Sequence, residues 1–248
     1  IRSLENGEER EIYPEPGYRI GGTCWSPDGR FILTAGKKGD YTGFYKIDVK
    51  TGKFTSILQF NKGEKVGAPV WSQDGRKMFY MQAGLQKEIA RIIMYDLASK
   101  EKKEIHRDNF KPYRGRPPLF AAELALSPDG QFLAYKTSKT ILKIIPISGG
   151  EVKEVVRWNE GKIITTADWT PDGKELLFAE SKFQKGHKFN LWRVSAEGGE
   201  PQELGLLMDR VYFLRIHPDG RHIAFQAGQK IQEIYAMDNF LPEFAAGD

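Results

Sequence analysis

The sequence predicts an all-β fold of four-stranded antiparallel blades set radially about an axis, a β-propeller. Three observations predict it: a turn motif repeated five times, apolar residues alternating behind each copy, and a Gly-containing second turn later in most periods. The five copies align without gaps: Trp25-Ser26-Pro27-Asp28-Gly29-Arg30, Trp71-Ser72-Gln73-Asp74-Gly75-Arg76, Leu126-Ser127-Pro128-Asp129-Gly130-Gln131, Trp169-Thr170-Pro171-Asp172-Gly173-Lys174 and Ile216-His217-Pro218-Asp219-Gly220-Arg221. Their glycines are 46, 55, 43 and 47 residues apart. A period of about 40 to 50 residues with strand-like content is the mark of propeller blades.

Each motif position has a physical task. Pro presets the first corner of the turn, Asp bonds the backbone two residues on, and Gly supplies positive φ. The hydroxyl before the Pro adds local bonding, and the large apolar residue before that ends a buried strand. The aspartates Asp28, Asp74, Asp129, Asp172 and Asp219, with Gly29, Gly75, Gly130, Gly173 and Gly220, are therefore read as turn residues rather than calcium ligands. After each turn Ile32, Met78, Leu133, Leu176 and Ile223 stand three residues past the Gly. Tyr80, Tyr135, Phe178 and Phe225 stand five past it, with Thr34 as the exception. Spacing by two is the strand signature.

A third strand follows over 44–49, 92–97, 142–147, 191–195 and 234–237. Next come turns such as Lys50-Thr51-Gly52, Ser148-Gly149-Gly150 and Glu197-Gly198-Gly199, then a short fourth strand such as 54–58 or 151–156. Four strands per period make a blade. Residues 1–8 read as the third strand and turn of an earlier blade, and 9–13 as its fourth strand. The expectation is one domain over 1–248: a partial blade over 1–15, then blades over 16–60, 64–106, 119–157, 161–205 and 209–240. Five repeats plus an N-terminal half blade point to a ring of the six-bladed type. The start at Ile1, inside an element, reads as a piece of a longer protein.

The Ser-Pro-Asp-Gly-(Arg/Lys) turn and the stretch LWRVSAEGGEPQELG, 191–205, resemble the TolB-type, WD-repeat-like β-propellers of bacteria, and the resemblance covers nearly the whole chain. EIYAMDNFLP, 233–242, resembles the C-terminal propeller region of large multidomain bacterial proteins. The resemblance implies a propeller with an interaction role and favours a periplasmic or extracytoplasmic setting, while the single cysteine leaves a cytoplasmic one open. It names no single substrate, because one fold hosts many functions. The sequence departs from the pattern at Gln73, Leu126 and His217.

Composition narrows the function. The chain has 248 residues, 40% hydrophobic, with 37 basic and 33 acidic side chains. A formal net charge of +4, well mixed, gives no case for nucleic acid. One cysteine, Cys24, excludes an intrachain disulfide framework. No apolar run approaches the roughly 20 residues of a membrane-spanning helix. His106, His187, His217 and His222 form no metal-ligand spacing, there is no Gly-x-Ser-x-Gly elbow, and the adjacent Asp and Gly of each turn break the sialidase Asp-box pattern. No catalytic residue, metal or cofactor is expected. A propeller enzyme would need charged side chains converging on the axis, where only Asp168 and Arg215 qualify.

The 55-residue period contains RDNFKPYRGRPPLF, 107–120, in which Arg107, Lys111, Tyr113, Arg114 and Arg116 form a candidate partner-binding loop. Gly36 to Gly43 and Ser181 to Lys188 read as solvated hairpin tips. Trp158 and Trp192 lie off the repeat position and read as packing residues. The expected function is a non-catalytic protein-interaction or ligand-sensing module of a larger bacterial protein. It would be monomeric, with a protein or small ligand at a propeller face. The alternative is the substrate-gating propeller of a prolyl-oligopeptidase-like hydrolase whose catalytic domain lies outside this chain.

Overall fold

A computed structural model describes residues 12–13, 17–83, 89–109, 124–136, 138–159, 161–182, 188–208, 212–216 and 223–226. All regular structure among them is β. Blade one contains β1 (Tyr18–Trp25), β2 (Phe31–Lys38), β3 (Tyr41–Asp48) and β4 (Phe54–Gln59), paired in that order. In blade two the inner strand is split into β5 (Lys65–Val66) and β6 (Val70–Trp71). Both halves pair with β7 (Lys77–Ala83), followed by β8 (Ile89–Asp96) and β9 (Lys102–Asn109). Blade three is β10 (Ala125–Leu126), β11 (Phe132–Lys136), β12 (Ile141–Pro146) and β13 (Lys153–Arg157). Blade four is β14 (Lys162–Trp169), β15 (Glu175–Lys182), β16 (Phe189–Ser195) and β17 (Gln202–Met208). A fifth unit shows two strands, β18 (Tyr212–Ile216) and β19 (Ile223–Gln226).

The six-bladed expectation is therefore corrected: the described residues build four complete blades and a two-stranded sheet. Residues 1–11, expected to form most of a half blade, and 234–237, expected to form a third strand, lie outside the described residues. The Gly- and Lys-rich stretch over 36–43 is a hairpin tip exposed over 37–41, as expected. The ladder runs through it, pairing Gly36 with Gly43, Lys37 with Thr42 and Lys38 with Tyr41, and only Gly39 and Asp40 turn. Gly39, at φ 59°, supplies the conformation that such a two-residue hairpin needs.

The turns between first and second strands are built alike in four repeats. The Ser or Thr hydroxyl donates to the Asp carboxylate at 2.6 Å for Ser26, 2.5 Å for Ser72, 2.5 Å for Ser127 and 2.7 Å for Thr170. The same carboxylate oxygen accepts the backbone N–H two residues on, from Arg30, Arg76, Gln131 and Lys174. The hydroxyl oxygen accepts the N–H that opens the next stretch, from Phe31, Lys77, Phe132 and Glu175. These bonds hold the carboxylates of Asp28, Asp74 and Asp172 below their ordinary pKa, the hydroxyl contributing most and the backbone N–H next. A methyl group on Gly75 would meet the Pro27 ring at 3.8 Å, and one on Gly173 the Pro128 ring at 3.6 Å. Successive turns thus stand in contact around the ring. The obstacle to a side chain there is the positive φ, 68° and 69°, rather than space.

Cores lie between blades. Leu33, Phe44, Phe60, Met78, Tyr80 and Ile93 fill the space between blades one and two, Phe79, Met81, Leu124, Leu133 and Ile145 that between two and three, and Leu142, Val156, Ile164, Leu176 and Phe178 that between three and four. A blade is therefore buried on both faces, which is why Met78, Phe79, Tyr80 and Met81 are consecutive and all buried. Register shifts recur in the inner strand of blades one and four and of the fifth unit, and in the outer pairing of blades one to four. Such bulges sharpen the twist by which each sheet turns from the axis to the rim.

Blades one and two approach closely at the axis. A Cβ on Gly22 would lie 2.5 Å from the Ala68 Cβ. Gly22→Ala should therefore destabilise the fold by about 1–3 kcal/mol, as overpacking does, and adding Ala68→Gly should restore most of the loss. Urea unfolding of the two variants and the parent measures both effects.

Candidate interaction site at the axial mouth

The repeat places the ends of all inner strands on one ring face, beside the turns. There Cys24 and Trp25 of blade one, Trp71 of blade two, Leu126 of blade three, Asp168 of blade four and Arg215 of the fifth unit border one cavity of about 370 Å³. Five chain segments 43 to 55 residues apart meet at this mouth because each ends the same strand of its unit.

Two polar struts fix the fourth and fifth units here. The Asp168 carboxylate accepts the N–H of Trp169 at 3.0 Å and of Ile216 at 2.9 Å, and Thr166 Oγ1 accepts the N–H of Leu214 at 3.0 Å. Asp168 thus holds backbone across the blade boundary. The Arg215 guanidinium donates to the Leu214 carbonyl at 2.7 Å. Burial pushes the Cys24 thiol up to about 12, against the charge of Arg215 and the Trp71 N–H, so the thiol is protonated and unreactive at neutral pH.

The repeated Trp position has three fates. Trp71 is 8% exposed and Trp169 5%, whereas Trp25 is 50% exposed at the mouth. The sequence aligned the three as core residues. The neighbouring surfaces that separate them are set by tertiary contacts.

The expected partner-binding loop is described only at its start. Arg107 is exposed and donates to both Glu104 oxygens, at 2.9 and 3.2 Å. Lys111, Tyr113, Arg114 and Arg116 lie outside the described residues, as do Asp219, Gly220, His187, His217 and His222. His106 packs edge-on to Tyr135 and lies 3.7 Å from Asp108. Trp158 and Trp192 pack together at 5.0 Å against the core between blades three and four. Among the described residues no three His, Cys, Asp or Glu side chains are placed to hold a metal ion, and no helix is long and apolar enough to cross a membrane.

No family model matches the sequence. A stretch of 81 residues, 33% of this chain, is 32% identical to the Tol-Pal system protein TolB of Francisella tularensis and spans 18% of that protein. The fold overlays TolB of Acinetobacter baumannii with a TM-score of 0.61 at 20% identity, covering 83% of this chain and 48% of that one. The fold is that of the TolB-like bacterial β-propellers. This chain accordingly spans about half the length of the TolB structure it overlays. The same architecture overlays an oligogalacturonate lyase of Vibrio parahaemolyticus (TM-score 0.60, 18% identity, 90% of this chain and 62% of that one). It also overlays a prolyl endopeptidase (0.54, 10%, 86% and 37%). The TolB-like fold thus occurs both in enzymes and in a component of the Tol-Pal system.

A charged seam between blades two and three yields a test of stability. Asp108 accepts from Lys143 Nζ at 2.6 Å and from the Tyr135 hydroxyl at 3.3 Å. Burial works against the Asp108 charge, but the Lys143 hydrogen bond and charge outweigh it, and the carboxyl titrates below its ordinary value. Asp108→Asn should cost about 1.5–3 kcal/mol at neutral pH, the range for hydrogen bonds to charged groups. A depressed folded pKa contributes stability above the unfolded pKa, about 3.9, that is lost as pH falls through the folded value. The gap between parent and variant should therefore be full at pH 6 and close below about pH 4, as followed by denaturant midpoints across pH.

Proposed function

We propose that this propeller is a non-catalytic protein-interaction module that engages its partner at the axial mouth, with Trp25 and Arg215 as anchors. The observation that carries the reading is the half-exposed indole of Trp25 at a mouth bordered by five units, while its tryptophan counterparts Trp71 and Trp169 are buried. An aromatic ring beside an arginine at a concave opening is the composition of a binding hot spot. The thiol and carboxylate at the mouth are committed otherwise, Cys24 protonated and Asp168 bonded to backbone. In the same reading the basic, aromatic loop with Arg107, Lys111, Tyr113, Arg114 and Arg116 is a second contact, and reversing the charge of Arg114 and Arg116 should weaken partner binding.

A photo-crosslinking phenylalanine analogue at position 25, introduced in living cells, tests the primary site. Defined adducts are expected at position 25, and not at Leu207, which is 59% exposed on β17. Equal labelling at both positions, or none at 25, overturns the reading.

A gating propeller of a hydrolase is the second reading, favoured by the overlay on a prolyl endopeptidase. It requires a hydrolase domain joined to this chain. There the mouth would pass substrate, and Trp25→Ala would speed cleavage of long peptides instead of weakening capture of a partner.

A further inference from the structure

The inner strands all run toward the Asp-Gly turns, so their starts lie on the opposite ring face. The ends of the second strands and the hairpins that follow them share that face. Cations gather there at the tips of two blades. In blade one Arg19 stands directly opposite Lys37 on the ladder, and Lys38 follows. In blade four Lys162 stands directly opposite Lys182, with Lys188 just before β16. Like charges set directly across a ladder repel, yet such a pair occurs at the same end of the ladder in both blades. Of these side chains Arg19, Lys37, Lys38, Lys182 and Lys188 are exposed.

Few carboxylates answer them. Among the described residues of this face, Asp40 bonds Lys62 at 3.0 Å, Glu64 accepts from the Asn61 N–H and from Gln82, and Asp108 holds Lys143. At the ends of β9 and β13, Arg107 and Arg157 are matched by Glu104 and Glu154. Glu180 is 2% exposed and accepts from the Trp192 indole beneath the surface. The excess of positive charge therefore sits at the tips of blades one and four. The tip of blade one adds apolar surface, since Tyr41 is 51% exposed and Ile20 44%. The ladder sets Ile20 opposite Gly36 and Lys38 opposite Tyr41. Alternation thus puts Ile20, Lys38 and Tyr41 on one side of the sheet.

We infer that this ring face docks on an anionic lipid bilayer, with the β2–β3 hairpin of blade one as the point of insertion. Peripheral membrane binding adds the attraction of basic side chains for anionic headgroups to apolar area placed among them. A tyrosine ring suits the headgroup level, and a lysine buries its apolar stem there while its ammonium stays at the charged layer. Two features favour a bilayer over a small anion or an acidic peptide. The basic tips belong to blades separated along the ring by blades two and three, so one small ion cannot touch both, whereas a surface does. The exposed cations are lysines except for Arg19. Lysine supplies point charge without the bidentate fork that reads a single carboxylate or phosphate. The face lies opposite the mouth that holds Trp25, so the inference stands independently of the proposed partner site.

Sedimentation of the full chain with vesicles of phosphatidylcholine, alone or mixed with phosphatidylglycerol, tests it. Binding is expected only where phosphatidylglycerol is present, and it should fall steeply with added salt, as screening requires. Lys37→Glu together with Lys38→Glu should weaken it about tenfold or more. Ile20→Ser together with Tyr41→Ser should weaken it about threefold or more while the salt dependence stays. Lys50→Glu together with Lys53→Glu, exposed in a turn on the other ring face, should bind as the parent does, and so should Trp25→Ala. Thermal melts confirm that each variant is folded. Absence of sedimentation with phosphatidylglycerol overturns the inference, as does equal loss in the Lys50 and Lys53 reversal, which would mean attraction by net charge alone. Displacement by glycerophosphate, at a phosphate concentration equal to that of the lipid, assigns the face to a single-anion site and refutes the surface. Soluble polyglutamate that binds as tightly as the vesicles, with no effect of the Ile20 and Tyr41 changes, assigns the face to an acidic protein and refutes the bilayer.

Discussion

The structure depends on a three-membered lock repeated around the ring: a hydroxyl, a carboxylate and a positive-φ glycine within four residues. The hydroxyl oxygen accepts the N–H that starts the second strand while its proton bonds the carboxylate. The carboxylate in turn satisfies the backbone two residues on. Strand pairing tolerates slippage wherever both faces are apolar, because a one-residue shift exchanges one buried face for another. The blades are of that kind, so the alternation of side chains cannot alone set the register. The lock does so at the inner corner, and the same bonds recur in Ser72, Ser127 and Thr170.

With register fixed, each blade can be buried on both faces, and the polar residues between blades acquire defined tasks. Lys136 is 5% exposed and donates from β11 to the carbonyls of Ile164 and Thr165 on β14. Asp108 gathers Lys143 and Tyr135 from the next blade. Asp168 and Thr166 carry the fifth unit. Each such contact runs from one blade to the next, so the stacking angle is set by directional bonds as well as by apolar area. In radial repeats the units contact only their neighbours, and these struts are how one unit reports its position to the following one.

Much of this was legible in the residues. The turn motif located the inner corners, and spacing by two located the second strands, because both signals are local. The third strands begin earlier than expected, at Tyr41, Ile89 and Phe189 rather than at 44, 92 and 191. Glycines and lysines near a hairpin tip dilute the apolar signal without breaking the ladder. The split inner strand of blade two was not legible, since nothing in Gly67-Ala68-Pro69 differs from an ordinary turn until Met81 is seen accepting the Gly67 N–H at 3.0 Å. The axial mouth was legible only as Asp168 and Arg215. Its remaining members are apolar residues and turn residues such as Ser72, Gln73 and Ser127, whose meeting depends on how the blades stand together.

The three tryptophans show why the rest could not be read. Identical residues at one repeat position end 50%, 8% and 5% exposed, and only the last has its indole N–H donating to a neighbouring blade's carbonyl. A repeat sequence encodes what a unit does to itself. What happens at its faces depends on how far the neighbour stands away, and that distance is the sum of small differences in outer turns and struts. Blade four is drawn onto blade three by Trp169 and by the Lys153–Glu197 pair. Blades one and two touch at Gly22 and Ala68 near the axis, yet a cleft remains between them. Surfaces available for recognition arise where the repeat's internal rule is kept but its external contact is not, and comparison of equivalent positions within one chain reveals them.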